Sequence, residues 1–346
     1  MGLAILVYRS FSGGIPSIPS ASPEAPPGAS VDWWSVYFTD PLSPNADSLR
    51  GGPDASLAAA IESARLSVDV AAYDLDLWVL RDALLGAHRR GVSVRMVAES
   101  DNLETREIQE LIEGGIEVLG DRREGLMHDK FAIIDRLEVW TGSMNYTIND
   151  GYRNNNNLVR VRSAAVAEDY TAEFEEMFLH DRFGPGSPSD TPNPRLTVES
   201  TPLEVYFSPD DGVADRLVEL IQGAEHSIYF LAYSFTSDDI AGAMLERRRA
   251  GVTIGGVLEE NQVNSNEGGE YARLQAAGLD VRLDGNPRNM HHKVIIIDER
   301  ITITGSYNFS NNAERFNDEN VIIIDNPQIA ALFLEEFNRL YARAQK

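Results

Sequence analysis

The chain has 346 residues, of which 43% are hydrophobic and 24% charged, a composition typical of globular proteins and a length sufficient for two domains. It contains no cysteine, which excludes disulfide bonds, thiolate metal ligands and a cysteine nucleophile. The formal net charge of −24, from 30 basic and 54 acidic side chains, disfavours proteins that bind nucleic acid duplexes through a broadly basic surface, although a local basic pocket is compatible with it.

The N-terminal segment, residues 1–31, is predicted to lie outside the folded part of the chain. Residues 3–8 form a short apolar run without a preceding positive charge, and residues 10–30 are rich in Pro, Ser, Ala and Gly. A complete export signal has a basic start and a longer apolar core, so we expect either a disordered tail or a truncated export signal with a stalk. No stretch approaches the roughly 20 apolar residues that span a bilayer, so we expect a soluble protein, either inside or outside the cytoplasm.

From residue 32 onward the chain repeats a pattern of alternating helices and strands. The first half, residues 32–183, has an opening strand at 36–38, a helix at 57–64, a strand at 66–73, a helix at 81–90 and a strand at 92–98. The second half, residues 201–346, has the matching segments at 205–207, 217–224, 227–233, 240–250 and 252–258. Gly91 and Gly251 lie 160 positions apart, each where a glycine commonly ends a helix.

This organisation predicts a duplicated α/β domain. Residues 184–200 begin with Gly184-Pro185-Gly186-Ser187-Pro188, which breaks regular structure and is typical of a linker. Strands that alternate with helices indicate βαβ units, so each half is predicted to be an α/β/α sandwich with a mixed, mostly parallel sheet. The repeat is too long for a solenoid, and two equivalent halves are expected to pack about a pseudo-two-fold axis.

One arrangement of chemically reactive residues occurs in each half. In the first half it consists of His128, Lys130, Asp135 and the run Gly142-Ser143-Met144-Asn145. In the second half it consists of His291, Lys293, Asp298 and the run Gly305-Ser306-Tyr307-Asn308, each 163 positions further on. A histidine and a lysine two positions apart on a strand project from the same face. Two such sets facing one cleft would bind a tetrahedral anion, with a nucleophile on one side and a proton donor on the other.

The duplicated pattern H-x-K-x4-D-x6-G-S-x-N resembles that of the phospholipase D superfamily, and the resemblance covers nearly the whole chain from about residue 31. The second half, including residues 205–209 and 232–237, is similar to single-motif bacterial endonucleases and to cardiolipin-hydrolase-like members, which form the site by dimerising. Duplication would place the whole site in one chain, so we expect a monomer. The resemblance implies phosphodiester cleavage in two steps, in which one histidine becomes a phosphohistidine while the other protonates the leaving oxygen and then activates water.

The resemblance also implies roles for the remaining motif residues. Four of them would hold the non-bridging phosphate oxygens, namely Lys130, Lys293, Asn145 and Asn308, and Ser143 and Ser306 would assist substrate binding. Neither a metal nor another cofactor is required in this mechanism, because the lysines supply the positive charge. Asp135 and Asp298 end strands before a turn, where we expect them to support the local backbone rather than take part in chemistry.

Expectations also follow for one histidine inside the motif and for two tyrosines after equivalent strands. His292 lies between His291 and Lys293, so its side chain is expected on the opposite face of the strand, in a structural role. Tyr73 and Tyr233 begin the loops after equivalent strands, where they either line the cleft or pack in the core.

The halves differ 28 residues after each motif histidine, where the first has Asn156 and the second has Glu319. In the superfamily a carboxylate near this place orients a catalytic imidazole. If Glu319 reaches across to the other half, it would orient His128 as the nucleophile, and His291 would serve as acid and base. If the pairing stays within one half, the two roles are exchanged.

Three classes of function are compatible with these residues. The first is a lipid phosphodiesterase that hydrolyses phospholipid head groups or transfers them to an alcohol. The second is a metal-independent endonuclease or exonuclease, and the third is a non-catalytic protein that binds phosphate esters. Two intact motifs oppose the third class, and the net charge of −24 without a long basic stripe opposes the second. Phospholipid is therefore the favoured substrate, with nucleic acid as the alternative.

Overall fold

The computed structural model describes residues 33–44 and 46–345, so the predicted N-terminal tail lies outside the described residues. The described residues form one compact unit, which contains both predicted halves. Within the described ranges, no helix has the length and apolar character needed to cross a membrane.

The first half contains seven strands and five helices among its described residues. In chain order these are β1 (Trp34–Phe38), α1 (Pro53–Ser63), β2 (Ser67–Ala72), α2 (Trp78–Arg89), β3 (Ser93–Ala98), α3 (Arg106–Glu113), β4 (Glu117–Gly120), β5 (Lys130–Ile134), β6 (Glu138–Gly142), α4 (Ile148–Tyr152), β7 (Asn157–Arg162) and α5 (Ala164–His180).

The second half repeats this order with additional elements. In chain order these are β8 (Arg195–Val198), β9 (Thr201–Ser208), α6 (Val213–Gln222), β10 (Ser227–Ala232), α7 (Asp238–Arg249), β11 (Thr253–Leu258), α8 (Glu260–Ser265), α9 (Tyr271–Ala276), β12 (Asp280–Leu283), β13 (Lys293–Ile297), β14 (Ile301–Gly305), α10 (Asn311–Arg315), β15 (Glu319–Asp325) and α11 (Pro327–Tyr341).

The predicted helices and strands of both halves coincide with observed elements, differing by a few residues at their ends. Helix α2 shows why the periodicity was informative, because its buried residues, Leu80, Ala83, Leu84 and Ala87, follow the spacing of one helix face. Gly91 and Gly251 have φ of +87° and +96°, the left-handed conformation that a glycine adopts just beyond a helix end. The prediction that both glycines terminate helices is confirmed.

Each half has one mixed sheet, and the prediction that these sheets are mostly parallel is wrong. The first sheet has the order β1-β7-β6-β5-β2-β3-β4 and the second has the order β12-β11-β10-β13-β14-β15-β9-β8. Only the sets β2-β3-β4 and β10-β11-β12 pair in parallel among the described strands. The motif strands are antiparallel because short turns at residues 135–137 and 298–300 join them into hairpins, whereas a parallel connection needs a long crossover.

Part of the predicted linker is a strand rather than irregular chain. Strand β8 pairs antiparallel with β9 at the edge of the second sheet. The turn between them contains Glu199 and Ser200, with φ of +46° and +68°, as in the tight turns that favour hairpins. The Pro- and Gly-rich composition of residues 184–194 masked this short hairpin signal in the sequence, so the linker ends earlier than predicted.

The two sheets face each other across a shared apolar core. Helices α5 and α11 lie in this core, and Tyr170 of α5 contacts Phe131 of the first half and Phe207 of the second through edge-to-face ring packing. Two further apolar clusters cover the outer faces of the sheets, one beneath α1 and α2 and the other beneath α6 and α7. Each half is thus an α/β/α sandwich, as predicted, and a common core joins the two halves.

Candidate active site

The motif histidines meet at the seam between the halves. Each lies two residues before the first residue of β5 or β13, and the backbone of the other half holds it in place. The backbone N–H of His128 donates to the carbonyl of Asp318 at 2.9 Å, and that of His291 donates to the carbonyl of Asn155 at 2.9 Å. Because each histidine depends on the opposite half for its position, neither half forms this arrangement alone.

A carboxylate from the second half holds the imidazole of His128. Nδ1 of His128 lies 2.7 Å from Oε2 of Glu319, which is fully buried. A carboxylate only accepts hydrogen bonds, so Nδ1 carries the proton and Nε2 has the free electron pair. Of the two pairings left open by the sequence, the structure contains the one across the seam. Burial lowers the pKa of His128 to about 4, although the charge of Glu319 opposes this shift, so the free protein has a neutral ring at pH 7.

His291 has a different set of partners. Its Nδ1 lies 3.0 Å from Oδ1 of Asn156 and 3.1 Å from the backbone carbonyl of Ser143. Both partners are acceptors, so Nδ1 again carries the proton and Nε2 is left without one. Burial, reinforced by the charges of Lys293 and Lys130, lowers the pKa of His291 well below its usual value. Asn156 thus lies beside His291, as the cross-seam pairing requires.

The two motif lysines are buried cations with unused hydrogen-bonding capacity. Nζ of Lys130 donates to the carbonyl of His128 at 2.5 Å, and Nζ of Lys293 donates to the carbonyl of His291 at 2.8 Å. Burial lowers the pKa of Lys130 to about 8 and that of Lys293 well below its usual value. An ammonium has three N–H groups, so each lysine retains donors that can meet an anionic ligand.

Tyr73 and Tyr233 lie against the motif residues rather than in the apolar core. The ring centroid of Tyr73 is 5.0 Å from that of His128, and the ring of Tyr233 is 4.5 Å from that of His291. Each ring also lies under the lysine of its own half, at 5.3 Å and 4.7 Å from Nζ. The tyrosines were expected either to line the cleft or to pack in the core, and the structure supports the first alternative.

Asn145 and Asn308 each have a side-chain oxygen without a hydrogen-bond partner among the described residues. Both of these Oδ1 atoms are buried. Buried amide groups are nearly always hydrogen-bonded in folded proteins. These oxygens are acceptors, so the non-bridging oxygens of a phosphate would instead meet the Nδ2 donors of the same amides.

The hydroxyl groups of Ser143 and Ser306 bind neighbouring strands. Both residues are fully buried. Oγ of Ser143 accepts the backbone N–H of Asn157 at 3.1 Å, and Oγ of Ser306 accepts that of Asn320 at 2.9 Å. The serines were predicted to contact the substrate. Their geometry instead favours a structural role, in which they position β7 and β15.

Asp135 and Asp298 lie at the far ends of β5 and β13 from the histidines. Their carboxylates accept hydrogen bonds from successive backbone N–H groups at residues 65–67 and 225–227, respectively. These bonds secure the starts of β2 and β10. The geometry agrees with the predicted structural role and separates both aspartates from the imidazole chemistry.

Sequence reasoning missed two asparagines that cross the seam. Oδ1 of Asn320 accepts from Thr141 at 2.5 Å, and its Nδ2 donates to Asp129 at 2.7 Å, both in the other half. Asn157 lies 163 positions earlier, and its Oδ1 accepts from Thr304 of the second half at 2.9 Å. The repeat offset was a usable signal, because both asparagines directly follow the compared positions Asn156 and Glu319.

His292 directly precedes β13, and its side chain contacts Asn157 and Glu336 rather than the cleft residues, which agrees with the predicted orientation away from His291. It is fully buried, accepts a hydrogen bond from Nδ2 of Asn157 at 3.0 Å, and lies 3.2 Å from Oε1 of Glu336 through its other nitrogen. Both ring nitrogens are therefore occupied within the protein, which agrees with a structural role.

Asp150 of α4 is a third residue that the sequence pattern did not indicate. It is buried, and its Oδ2 lies 3.6 Å from Nδ1 of His291. The equivalent position in the second half, 163 residues later, is Ala313. Because one half lacks the carboxylate, comparison of the two halves gave no motif that included it.

The motif glycines allow the hairpin strands to approach their neighbours closely, which leads to a stability prediction. A Cβ added to Gly305 would lie 2.1 Å from the backbone oxygen of Asn320, and φ is +149°. We expect Gly305→Ala to lower the free energy of unfolding by about 2 kcal/mol or more, because the backbone at Asn320 must move to make room for the added methyl group. Thermal or urea denaturation measures this, with Gly242→Ala as control, since its Cβ would meet nothing within 4 Å. Equal stabilities of the two variants would contradict the prediction.

Each α/β/α half brings one His-Lys-Asn set to the same seam. Together the two sets form a site of the kind that binds phosphate esters. Residues 57–178 and 217–341 match the family model described as cardiolipin synthase, PLD-like domain. These segments cover more than half of the chain and fall one in each half, so the chain belongs to the PLD-like domain family.

Individual relatives agree with this assignment. The phospholipase D of Rickettsia typhi is 36% identical over 135 residues, which are 39% of this chain and 66% of that protein. The mitochondrial cardiolipin hydrolase of Homo sapiens is 34% identical over 131 residues, which are 38% of this chain and 52% of that protein. The chain thus spans about two thirds or less of the length of these curated relatives.

A crystal structure shows the same fold across both halves. The phosphatidylserine synthase of Haemophilus influenzae Rd KW20 superposes with a TM-score of 0.63 at 12% identity, covering 90% of this chain and 89% of that chain. At this identity the likeness concerns the fold alone. It agrees with two sandwich halves joined about one seam.

Proposed function

We propose that this protein is a phosphodiesterase of the phospholipase D type, which hydrolyses or transfers phospholipid head groups through a phosphohistidine intermediate. The observation that carries the proposal is the pair of buried histidines at the seam, each with Nδ1 held by acceptors and Nε2 left free. The ammonium group of Lys130 or Lys293 is bonded to the carbonyl of each histidine, and the motif also contains Asn145 and Asn308, whose Nδ2 groups can donate to phosphate oxygens. This set can bind a phosphate group and supply both a nucleophile and a proton donor.

In the first step, Nε2 of His128 attacks phosphorus and the bond from phosphorus to the leaving oxygen breaks. His291, protonated at Nε2, gives that proton to the leaving oxygen. The phosphorylated ring of His128 keeps its Nδ1 proton and a positive charge, which the carboxylate of Glu319 stabilises. A bound phosphodiester anion places negative charge between the histidines and thereby favours the protonated form of His291.

In the second step, neutral His291 takes a proton from water as the water oxygen attacks phosphorus. The bond from phosphorus to Nε2 of His128 breaks, and the ring returns to its neutral form. An alcohol in place of water gives transfer rather than hydrolysis. Lys130, Lys293, Asn145 and Asn308 hold the non-bridging oxygens throughout, so the mechanism proceeds without a metal ion.

The charge around the site supports phospholipid over nucleic acid as the substrate. In the first half, Asp74 and Asp76 follow β2 next to Tyr73, whereas the second half has Ser234 and Thr236 at these positions. Burial, with the charge of Asp76, raises the pKa of Asp74 to about 6, so at pH 7 it is mostly an anion. Carboxylates beside the cleft repel a polyanion and tolerate a zwitterionic head group.

The proposal is tested with the purified full chain in the presence of EDTA. We expect release of head groups from phospholipid vesicles and cleavage of bis(p-nitrophenyl) phosphate, without cleavage of single-stranded DNA. The variant His128→Ala serves as the control for contaminating activity. Cleavage of DNA but not of phosphatidylcholine or cardiolipin would instead support the alternative, a metal-independent nuclease. Inactivity towards every phosphodiester would contradict the proposal.

We also propose that a monomer contains the complete site, because both motif sets belong to one chain and hold each other across the seam. Separately expressed halves should be inactive and should regain activity on mixing. Specific activity that increases with protein concentration for the full chain would show that the site needs a second copy.

The lowered pKa of Lys130 predicts how activity depends on pH. The ammonium form binds phosphate, and it loses its proton as the pH rises through about 8. We therefore expect kcat/KM for bis(p-nitrophenyl) phosphate, which reports the free protein, to fall about tenfold per pH unit above that point. Stopped assays over pH 6 to 10 measure this, with thermal denaturation at each pH as a control for unfolding. A constant kcat/KM up to pH 10 would show that Lys130 is not the binding cation.

A further inference from the structure

Each half supplies one carboxylate to the histidine of the other half, but the two carboxylates come from different positions of the repeat. The second half supplies Glu319 to His128, while the first half has the neutral Asn156 at the equivalent place. The first half instead supplies Asp150, whose Oδ2 lies 3.6 Å from Nδ1 of His291, while the second half has Ala313 there. Each histidine therefore has one carboxylate near Nδ1, and each carboxylate comes from the opposite half.

The surrounding structure holds Asp150 in this place. Its Oδ2 accepts the backbone N–H of Asn145 at 3.0 Å, and its Oδ1 accepts from Nδ2 of Asn154. Its own backbone N–H donates to Oγ1 of Thr147, the N-cap residue of α4. The residue is 2% exposed, so both oxygens of the carboxylate are held by the protein in a buried site.

The charges that face His291 explain why this carboxylate matters. The groups nearby that oppose a positive charge on the ring are Lys293, Lys130, His128 and His292. Tyr233 packs against the ring and is neutral at pH 7 because burial raises its pKa to about 12. Among the described residues, Asp150 is the carboxylate within 4 Å of His291, and Asp74 and Asp76 lie beyond it, close enough for its charge to raise their pKa.

We propose that Asp150 is the positioning residue for the general acid, stabilising the protonated ring of His291 while that ring gives its Nε2 proton to the leaving oxygen. This inference rests on the proposed phosphodiesterase function. A carboxylate 3.6 Å from Nδ1 attracts the imidazolium more strongly than the neutral ring in a buried site. Asn156 and the carbonyl of Ser143 orient the ring, and Asp150 supplies the charge that they lack.

The test compares leaving groups in Asp150→Asn, which keeps the size of the side chain. An alkyl alcohol needs a proton in order to leave, whereas p-nitrophenolate needs little. We expect kcat for an alkyl phosphodiester to fall about 10- to 100-fold and kcat for bis(p-nitrophenyl) phosphate to change less than about threefold. The descending limb of kcat against pH for the alkyl ester should move to lower pH by about one unit, because the carboxylate that favoured the protonated ring is gone.

Two further variants separate a local charge effect from a structural one. Asp150→Ala gives a second measurement if the asparagine disturbs the fold, because Ala313 shows that the equivalent helix accepts alanine. Asp169→Asn is the matched control: it removes a carboxylate that is fully buried and bonded to Asn193, so it should leave the dependence on leaving group unchanged. Thermal denaturation of all variants checks folding.

The outcomes distinguish this inference from the function on which it rests. If the unmodified protein cleaves neither ester, the phosphodiesterase proposal fails. If it cleaves both, and Asp150→Asn slows both equally or neither, the function stands and the role of Asp150 is overturned. A selective loss with the alkyl ester, together with the moved pH limb, supports the inference.

Discussion

Replacement of His128 by alanine is expected to abolish the covalent intermediate and to lower turnover of any phosphodiester by more than about 10⁴-fold, as removal of a nucleophile does in other enzymes. His291→Ala should behave differently. Its reaction with bis(p-nitrophenyl) phosphate should still form the phosphohistidine, because a leaving group of low pKa needs little protonation. The adduct should then persist, because the base that activates water is absent.

The structural reason is the tautomer that each histidine adopts. Glu319 holds the Nδ1 proton of His128 and faces the positive charge that develops when Nε2 bonds to phosphorus. The partners of His291 at Nδ1 are the amide oxygen of Asn156 and a backbone carbonyl, which orient the ring with less charge. His128 is therefore the better nucleophile of the pair.

Intact-protein mass spectrometry after rapid quenching without acid detects the adduct, and peptide mapping locates it. His292→Gln is not a suitable control, because both nitrogens of that ring bind Asn157 and Glu336. His226 is exposed and is a suitable control, so His226→Gln should form the same adduct as the unmodified protein. An adduct on His291, or one trapped in His128→Ala and never in His291→Ala, would reverse the two roles.

Glu319→Gln is expected to slow formation of the phosphohistidine by about 10³- to 10⁴-fold while the fold is retained, by comparison with the amide replacement of an orienting carboxylate in other imidazole-based sites. Glutamine has nearly the same shape, so the hydrogen bond from Asn317 to Oε1 can persist. The negative charge that stabilises the phosphorylated ring is lost, and the amide nitrogen can turn towards Nδ1 and favour the wrong tautomer.

Single-turnover kinetics with bis(p-nitrophenyl) phosphate measure this step directly, and thermal denaturation shows whether the fold survives. Glu270→Gln is a matched control, because Glu270 is 4% exposed and pairs with Arg273 of its own half. We expect this control to form the adduct at the normal rate. A rate in Glu319→Gln within tenfold of that of the unmodified protein would mean that the carboxylate is not needed for attack.

Much of this architecture was predictable from local features of the sequence. Helix periodicity, short apolar strands and the helix-ending Gly91 and Gly251 act over a few residues, so they located the elements of both halves without knowledge of the packing. The constant offset between the two His-Lys-Asn sets showed that the domain is duplicated. The same repeat identified both histidines and both lysines, although each histidine lies two residues before the strand that its lysine begins.

The tertiary structure decided what local patterns could not express. The direction of strand pairing depended on turns too short for a crossover, and β8 formed because the edge of the second sheet was available. The packing of the two halves also gave His128 the partner Glu319, which lies 191 positions away in the chain, rather than a partner from its own half. Asp150 and His291 are 141 positions apart, and no spacing rule links residues at such distances. Buried polar groups need partners, and only the packing of the two halves determines which partners they meet.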